Sequence, residues 1–294
     1  LGLGYEMASS INPGLIYCSL KGFMEGPYAD RTALDEVVQM MSGLAYMTGP
    51  PGQPLRAGAS IVDIMGGAFG AVAVLSALRE REKSGQGQLV QTGLFETAAY
   101  IMGQHMAYAA IGQQLVPPMP ARVSPWAVYR LFRSSDDKLV FIGITSDKHW
   151  ASFCQTFNRP DLLADDSLTT NSQRVDARNR LHPELERLFG SMTLQEIVAG
   201  CEAAKIPFSP VAQPEDLFED PQLNEGNSLA ATRLPDGRYA KLPKLPVAFN
   251  RHRLDLYAEA PAIGANSQPI LLELGYSPAQ IKELADSEII VTMD

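Results

Sequence analysis

Residues 61–70 read Ile61-Val62-Asp63-Ile64-Met65-Gly66-Gly67-Ala68-Phe69-Gly70, and the fold turns on how this stretch is read. An apolar approach from Ala59 to Val62 delivers one carboxylate, Asp63. Two glycines follow within four residues, and then a run of small and apolar residues, Gly70-Ala71-Val72-Ala73-Val74-Leu75-Ser76-Ala77-Leu78-Arg79, with the composition of a long packed helix. The pattern places Asp63 near a helix start, where backbone N–H groups lack helical partners and negative charge is favoured. Glycines beside it remove side-chain bulk, so that a ligand can approach the backbone. Two readings follow from the residues alone. Asp63 is an N-cap, a common use of Asp, or it is an ionised carboxylate placed to act as a nucleophile.

The remaining composition narrows the field. The chain has 294 residues, a length for one large domain or two. It is 46% hydrophobic and 19% charged, which fits a soluble globular protein with a sizeable core. A net charge of −9 argues against a broad nucleic-acid-binding surface. Cys18, Cys154 and Cys201 lie far apart with no C-x-x-C pair, and the four histidines are scattered, so no metal site is expected and a reduced, cytoplasmic setting is. No apolar run reaches the ~18 residues that a membrane-spanning helix needs, although Ile61 to Leu78 comes close before Asp63 and its small residues interrupt it. No membrane partner is therefore expected. The chain opens in mid-pattern, without an initiator Met, which reads as the C-terminal part of a longer protein.

Outward from the centre, Leu15 to Leu20 predicts a buried strand after the turn Asn12-Pro13-Gly14. A helix pattern starts near Thr32, with Leu34, Val37, Val38, Met41 and Leu44 on one face. The Gly85-x-Gly87 of Ser84-Gly85-Gln86-Gly87-Gln88 follows a helix and precedes a strand, the reverse of the order a dinucleotide-binding loop needs. Leu89 to Thr92 is a short strand, and Leu94 to Ile111 a second long helix. Val116-Pro117-Pro118-Met119-Pro120 is a linker, and beyond it the pattern is α+β. There Trp126 to Phe132 and Leu139 to Ile144 form a hairpin about Ser134-Ser135-Asp136-Asp137, Ser146 caps a helix, and Val175 to Phe189 and Leu194 to Ala204 are amphipathic helices. Leu234 to Tyr239 is a second hairpin turn, and the tail is two short helices split by Gly275.

Taken in order, these motifs resemble the family III CoA-transferases, the carnitine- and formyl-CoA-transferase group. The resemblance rests on Asn12-Pro13-x-Leu15-Ile16-Tyr17-Cys18-Ser19, Gly26-Pro27-Tyr28-Ala29, Leu34-Asp35-Glu36-Val37-Val38-Gln39-x-x-Ser42-Gly43-Leu44 and Val62-Asp63. Further along, it rests on Ser84-Gly85-x-Gly87-Gln88, Pro207-x-x-Pro210-Val211, Ile263-Gly264 and Leu271-x-x-Leu274-Gly275-Tyr276-Ser277. It runs across nearly the whole chain.

The resemblance implies an α/β fold: a truncated Rossmann-like large domain plus a smaller α+β domain, with two chains interlocked as a homodimer. The implied divisions are 1–115 for the large-domain part, 116–245 for the small domain, and 246–294 for a segment returning to the large domain. It implies that Asp63 is the catalytic carboxylate, which takes the acyl group of an acyl-CoA as an anhydride and then coenzyme A as a thioester before passing it to a free carboxylic acid. Gly66 and Gly67 would meet the substrate, their backbone N–H groups steadying the developing oxyanion. Thr32, Ala33, Leu34, Asp35 and Glu36 match positions that contact CoA in the formyl-CoA-transferase branch, with Ala33 and Asp35 standing where that branch has Lys and Tyr. Arg122, Val123 and Ser124 fall where that branch has a glycine-rich lid, and Arg122 is a candidate partner for a substrate carboxylate. No tightly bound cofactor is implied; the CoA thioester is a substrate.

Two other functions share this fold. An α-methylacyl-CoA racemase needs a His-Asp pair at the position of Leu34-Asp35, and Leu34 carries no proton. A non-catalytic member would bind CoA thioesters without turnover.

Overall fold

The computed structural model describes residues 2–234 and 236–293, so Pro235 of the expected second hairpin turn lies outside the described residues. The chain forms two compact units, one ending at Pro125 and one beginning at Trp126.

In the first unit, α1 (Tyr5–Ile11) leads into β1 (Tyr17–Lys21), and α2 (Asp35–Met41) and α3 (Leu44–Thr48) follow a long loop. The 24-residue α4 (Ile61–Ser84) then feeds β2 (Leu89–Gly93), α5 (Leu94–Ile101) and α6 (Gly103–Gly112). The strands β1 and β2 pair in parallel, Tyr17 opposite Leu89 and Lys21 opposite Gly93. That pairing requires a crossover, which the segment from α2 to α4 supplies. Val38, Leu44, Met47, Val62, Ala98 and Met102 form the buried core.

Glycines set how closely α4 approaches the strands. A methyl group at Gly66 would meet the Leu94 side chain at 3.3 Å, and one at Gly70 would meet Leu20 at 3.1 Å. Both are buried, one turn apart on the strand-facing side of the helix. The Gly85-x-Gly87 turn has a structural role. Gly85 ends α4 with φ +71°, and Gly87 lies so close to the Leu15 carbonyl that no side chain fits. By length and composition alone α4 is also long and apolar enough to cross a membrane, contrary to the expectation from the sequence.

Three local expectations are corrected. The helix expected from Thr32 starts at Asp35, and Leu34, at the N-cap, makes no side-chain cap. Its buried residues are Asp35, Val38 and Gln39, while Leu34 is 67% exposed. The long helix expected over 94–111 is two, interrupted at Met102 before Gly103, a residue that weakens a helix interior.

In the second unit, β3 (Val128–Arg133) and β4 (Leu139–Ile144) form the expected hairpin. The helices α7 (Asp147–Thr156), α8 (Pro160–Leu163), α9 (Asn171–Asp176), α10 (Arg178–Gly190) and α11 (Leu194–Ala204) follow. β5 (Phe208–Pro210) then pairs with β4, giving the antiparallel order β3-β4-β5. Ser146 caps α7 by accepting from the His149 N–H, and capping boxes start α9 (Thr170, Gln173) and α11 (Thr193, Glu196). Phe132, Ile142, Phe153, Leu185, Phe189 and Ile197 fill the core. Arg174, 1% exposed, is tied down by the Leu168 and Thr169 carbonyls, the Asp147 carboxylate and the Trp150 ring. After α12 (Pro221–Glu225) come the antiparallel pairs β6 (Leu229–Arg233) with β7 (Tyr239–Pro243) and β8 (Ala248–Phe249) with β9 (His252–Arg253). Helices α13 (Ser267–Glu273) and α14 (Pro278–Asp286) end the chain, separated by Gly275 at φ +88°.

Candidate active site

At the carboxyl ends of β1 and β2 lies a cavity of about 300 Å³, lined by Leu20, Lys21, Gly22, Asp63, Gly67 and Thr92, with Gly66 and Leu94 completing it. Ligands of open parallel sheets sit at this end of the strands. The two strand ends, the first two turns of α4 and the start of α5 make its walls.

Asp63 occupies the third position of α4 and is exposed to the cavity. It is not the N-cap; that position is Ser60, whose side chain makes no cap. The Asp63 carboxylate makes no hydrogen bond or ion pair among the described residues, so its lone pairs are available to a ligand. Gly67 follows one turn later on the same face, and a methyl group built there meets nothing within 4 Å.

The first turn of α4 departs from expectation. Its N–H groups are not free. Ile61 donates to the Ala59 carbonyl (2.8 Å) and Ile64 to the Ser60 carbonyl (3.0 Å). Val62 and Asp63 both donate to Asp35 Oδ2, at 2.9 and 3.3 Å. The other oxygen, Asp35 Oδ1, accepts from the Gln39 side-chain amide at 2.6 Å and lies 3.6 Å from the Arg56 guanidinium. Asp35, 7% exposed, thus caps α4 from another helix. A carboxylate is well suited to this end of the helix dipole. The expectation that Gly66 and Gly67 offer N–H donors to an oxyanion is likewise corrected. Both lie past the first turn of a regular helix, whose pattern commits each N–H to the carbonyl four residues back. They offer the cavity no donors, and Gly67 alone of the two leaves it open space.

Asp35→Ala is expected to cost about 2–4 kcal/mol, because it orphans two helix N–H groups and the buried Gln39 amide. Denaturant unfolding checks this. Asp35→Asn, which keeps an acceptor oxygen, should lose less than the alanine variant does.

The structure brings some expected site residues together and separates others. None of residues 32–36 lines the Asp63 cavity, but two of them touch residues that do. Ala33 packs against Gly22 so closely that a side chain at Gly22 would collide with it, and Asp35 holds the backbone of Asp63. Thr32, Leu34 and Glu36 are exposed beside them. Because its carboxylate is committed inside the protein, the Asp35 side chain positions Asp63, and the expected contact of that side chain with CoA gives way to this role. Arg122 lines a different cavity, of about 250 Å³, with Met47, His105, Tyr108, Gln114 and Val116. Neither Arg122 nor Val123 or Ser124 lines the Asp63 cavity.

Five lining residues are not among the candidate site residues that the sequence singles out, and two of them, Thr92 and Lys21, are polar. Thr92 donates its hydroxyl to the Gly66 carbonyl at 3.3 Å and ties β2 to α4. Lys21 is the last residue of β1, and its signal is a charged side chain closing an apolar strand just before a glycine. Among the described residues no group of His, Cys, Asp and Glu is placed to hold a metal. All three cysteines are free thiols, and burial pushes Cys154 and Cys201 up to about 12, which leaves them protonated and unreactive at neutral pH.

The chain matches the sequence model described as CoA-transferase family III over residues 1–267. It is 28% identical to succinyl-CoA:glutarate CoA-transferase of Mus musculus, over 99% of this chain and 67% of that protein. It is 29% identical to succinate–glutarate CoA-transferase of Agrobacterium fabrum, over 93% of this chain and 68% of that one. The chain thus spans about two thirds of the length of these relatives. Among solved structures, a CAIB/BAIF family protein from Brucella suis superposes with a TM-score of 0.81 at 28% identity, covering 93% of this chain and 71% of that one.

Proposed function

The chain belongs to CoA-transferase family III, a class of enzymes that move coenzyme A, and from that premise we propose that it transfers CoA from an acyl-CoA to a free carboxylic acid through covalent intermediates on Asp63. The observation that carries the reading is an unengaged carboxylate facing a cavity at the strand ends.

The chemistry is a relay of acyl exchanges. An Asp63 carboxylate oxygen attacks the thioester carbonyl, forming the acyl-aspartyl anhydride and expelling CoA thiolate. The thiolate attacks the aspartyl carbonyl, giving the aspartyl-CoA thioester and releasing the first acid as its carboxylate. The acceptor's carboxylate then attacks that thioester, forming a second anhydride and freeing the thiolate again. Attack of the thiolate on the acceptor's carbonyl yields the new acyl-CoA and restores Asp63. No net proton, electron or water is consumed. Each step replaces one difficult direct exchange between thioester and carboxylate with an easier one.

Residues 32–36, which touch the cavity's walls through Ala33 and Asp35, are the proposed CoA-contacting segment, through backbone and exposed side chains. Two relatives carry succinyl-CoA or succinate, and glutarate, in their names. We place short dicarboxylic acids first among the donor acids and acceptors. Homodimerisation belongs to the same reading; the apolar side chains of Ile64, Val72 and Leu75, left exposed on α4, support it. A cytoplasmic setting is in keeping with the three free thiols.

The test is to incubate the full-length protein with succinyl-CoA and a panel of labelled free acids. Label is expected in a new acyl-CoA with at least one short acid. Wash-in of deuterium at the α-carbon without movement of CoA would point to racemisation, and binding without turnover to a non-catalytic member. Either result overturns the reading.

A further inference from the structure

We infer that Gln39 is a positioning residue for the Asp63 reaction: together with Asp35 it clamps the segment 57–63, which carries Asp63, against α2. The inference rests on the proposed function for the reaction it serves. Gln39 is fully buried. Its Oε1 accepts from the Ala57 N–H at 2.9 Å, and its Nε2 donates to Asp35 Oδ1 at 2.6 Å. A backbone N–H can only donate, so the amide oxygen must face Ala57 and the amide nitrogen Asp35. Asp35 and Gln39 stand four residues apart on α2 and share one face. Their further contacts lie at the two ends of one short segment. Gln39 holds Ala57, and Asp35 Oδ2 holds the N–H groups of Val62 and Asp63 at 2.9 and 3.3 Å.

Between these ends residues 58–60 are exposed. The Val62 side chain is seated in the core, but apolar packing is non-directional. The hydrogen bonds are directional, and they set the heading of the first turn of α4 and with it the place of the Asp63 carboxylate. Gln39 does not line the cavity, so it acts through Asp35 and the backbone and not on the substrate. Without its amide, Asp35 Oδ1 and the Ala57 N–H both lose a partner. Arg56, 3.6 Å from Oδ1, can answer Asp35, but its guanidinium has no acceptor to offer Ala57. The clamp then opens at its Ala57 end. A reacting atom displaced by about an ångström loses on the order of 10²-fold in rate.

The test uses the full-length protein as wild type, Gln39→Met and Gln39→Glu. Quench-flow with succinyl-CoA reads the rate at which Asp63 is loaded and, separately, the fraction of sites that load. Hydrogen–deuterium exchange of peptides spanning 57–63 reads the clamp without turnover. Gln39→Met is expected to slow loading on the order of ten- to hundred-fold at an unchanged loaded fraction, to move the KM values much less, and to speed exchange across 57–63. A merely structural role would lower the loaded fraction and leave the rate of the remaining sites unchanged. In Gln39→Glu the introduced carboxyl group, when protonated, donates to Asp35 and accepts from Ala57 as the amide does; ionised, it has no proton to give and opposes Asp35. The charged groups about this point are Asp35 and Glu36 on α2, Arg56 before α4 and Asp63 on it; α3 has none, and Glu96 of α5 accepts from the Met24 N–H. Loading by Gln39→Glu should therefore approach wild type in acid and fall below it as pH rises, a profile that decides the matter even where Gln39→Met does not fold. Loading by Gln39→Met at the wild-type rate, a lowered loaded fraction at an unchanged rate, or a Gln39→Glu profile parallel to that of wild type overturns the inference. If wild type loads nothing, the proposed function falls and exchange decides: faster exchange in the folded Gln39 variants keeps the clamp, and equal exchange removes it.

Discussion

Asp63→Ala is expected to remove CoA transfer almost completely, by about 10⁴-fold or more, while leaving the fold intact. The size of the loss follows from the relay. Every step forms or breaks a bond at the Asp63 carboxyl group, so no partial route survives its removal. The small structural cost follows from the geometry. The Asp63 side chain is exposed, touches no partner among the described residues, and does not cap its helix. The variant loses a favourable charge in the first turn, worth about 0.3–1 kcal/mol, and gains back about as much from the better helix propensity of alanine. The Asp63 N–H still donates to Asp35, so the helix start keeps its cap. Exchange assays with labelled acid and thermal melts on the same samples check both halves. A variant that melts with wild type and transfers nothing is the expected result.

The second large effect comes from a residue with no reactive group. Gly67→Leu is expected to reduce transfer on the order of 10²-fold and to raise stability slightly. Gly67 lines the cavity one turn after Asp63, and no atom lies within 4 Å of where its Cβ would stand. A leucine there projects into the space the substrate needs, and displacing the reacting atoms by an ångström costs about this much. The same change relieves a glycine in a helix interior, a gain of about 0.5–1 kcal/mol. Activity and melting temperature should therefore move in opposite directions, a signature that misfolding does not produce. Gly66→Leu provides the contrast. Its Cβ would press on Leu94 with Thr92 and Thr97 behind it, so activity and stability should fall together.

The difference between these neighbouring glycines shows what the sequence conveys and what it withholds. The stretch 61–70 announces a carboxylate, small residues and a helix, and the structure has all three. It does not say which glycine packs and which faces the ligand, because that depends on where β1, β2 and α5 lie across α4. Local signals are legible: the cap Ser146, the β3–β4 hairpin, and the reversed order that rules out a phosphate loop at Gly85-x-Gly87. Non-local ones were not. Asp35 and the N–H groups it caps are separated by 27 and 28 residues, and no spacing rule links them. The start of α2 is hidden for the same reason. Asp35 is buried by its bond to another helix, while the apolar Leu34 beside it faces outward, the opposite of what an amphipathic pattern suggests. Lys21 was invisible because an exposed lysine at a strand end is ordinary until a cavity is seen beside it. Arg122 stands out by the resemblance, at the place of a lid, yet it lines another cavity.

The central claim is that the Asp63 carboxylate becomes covalently loaded during turnover. The most direct measurement is to quench the full-length enzyme with hydroxylamine in the presence of an acyl-CoA and an acid it exchanges, and to map the peptide containing residues 61–70 by mass spectrometry. The account predicts a hydroxamate at Asp63 that appears only when acyl-CoA is present. Sustained transfer of CoA with Asp63 unmodified throughout would contradict it.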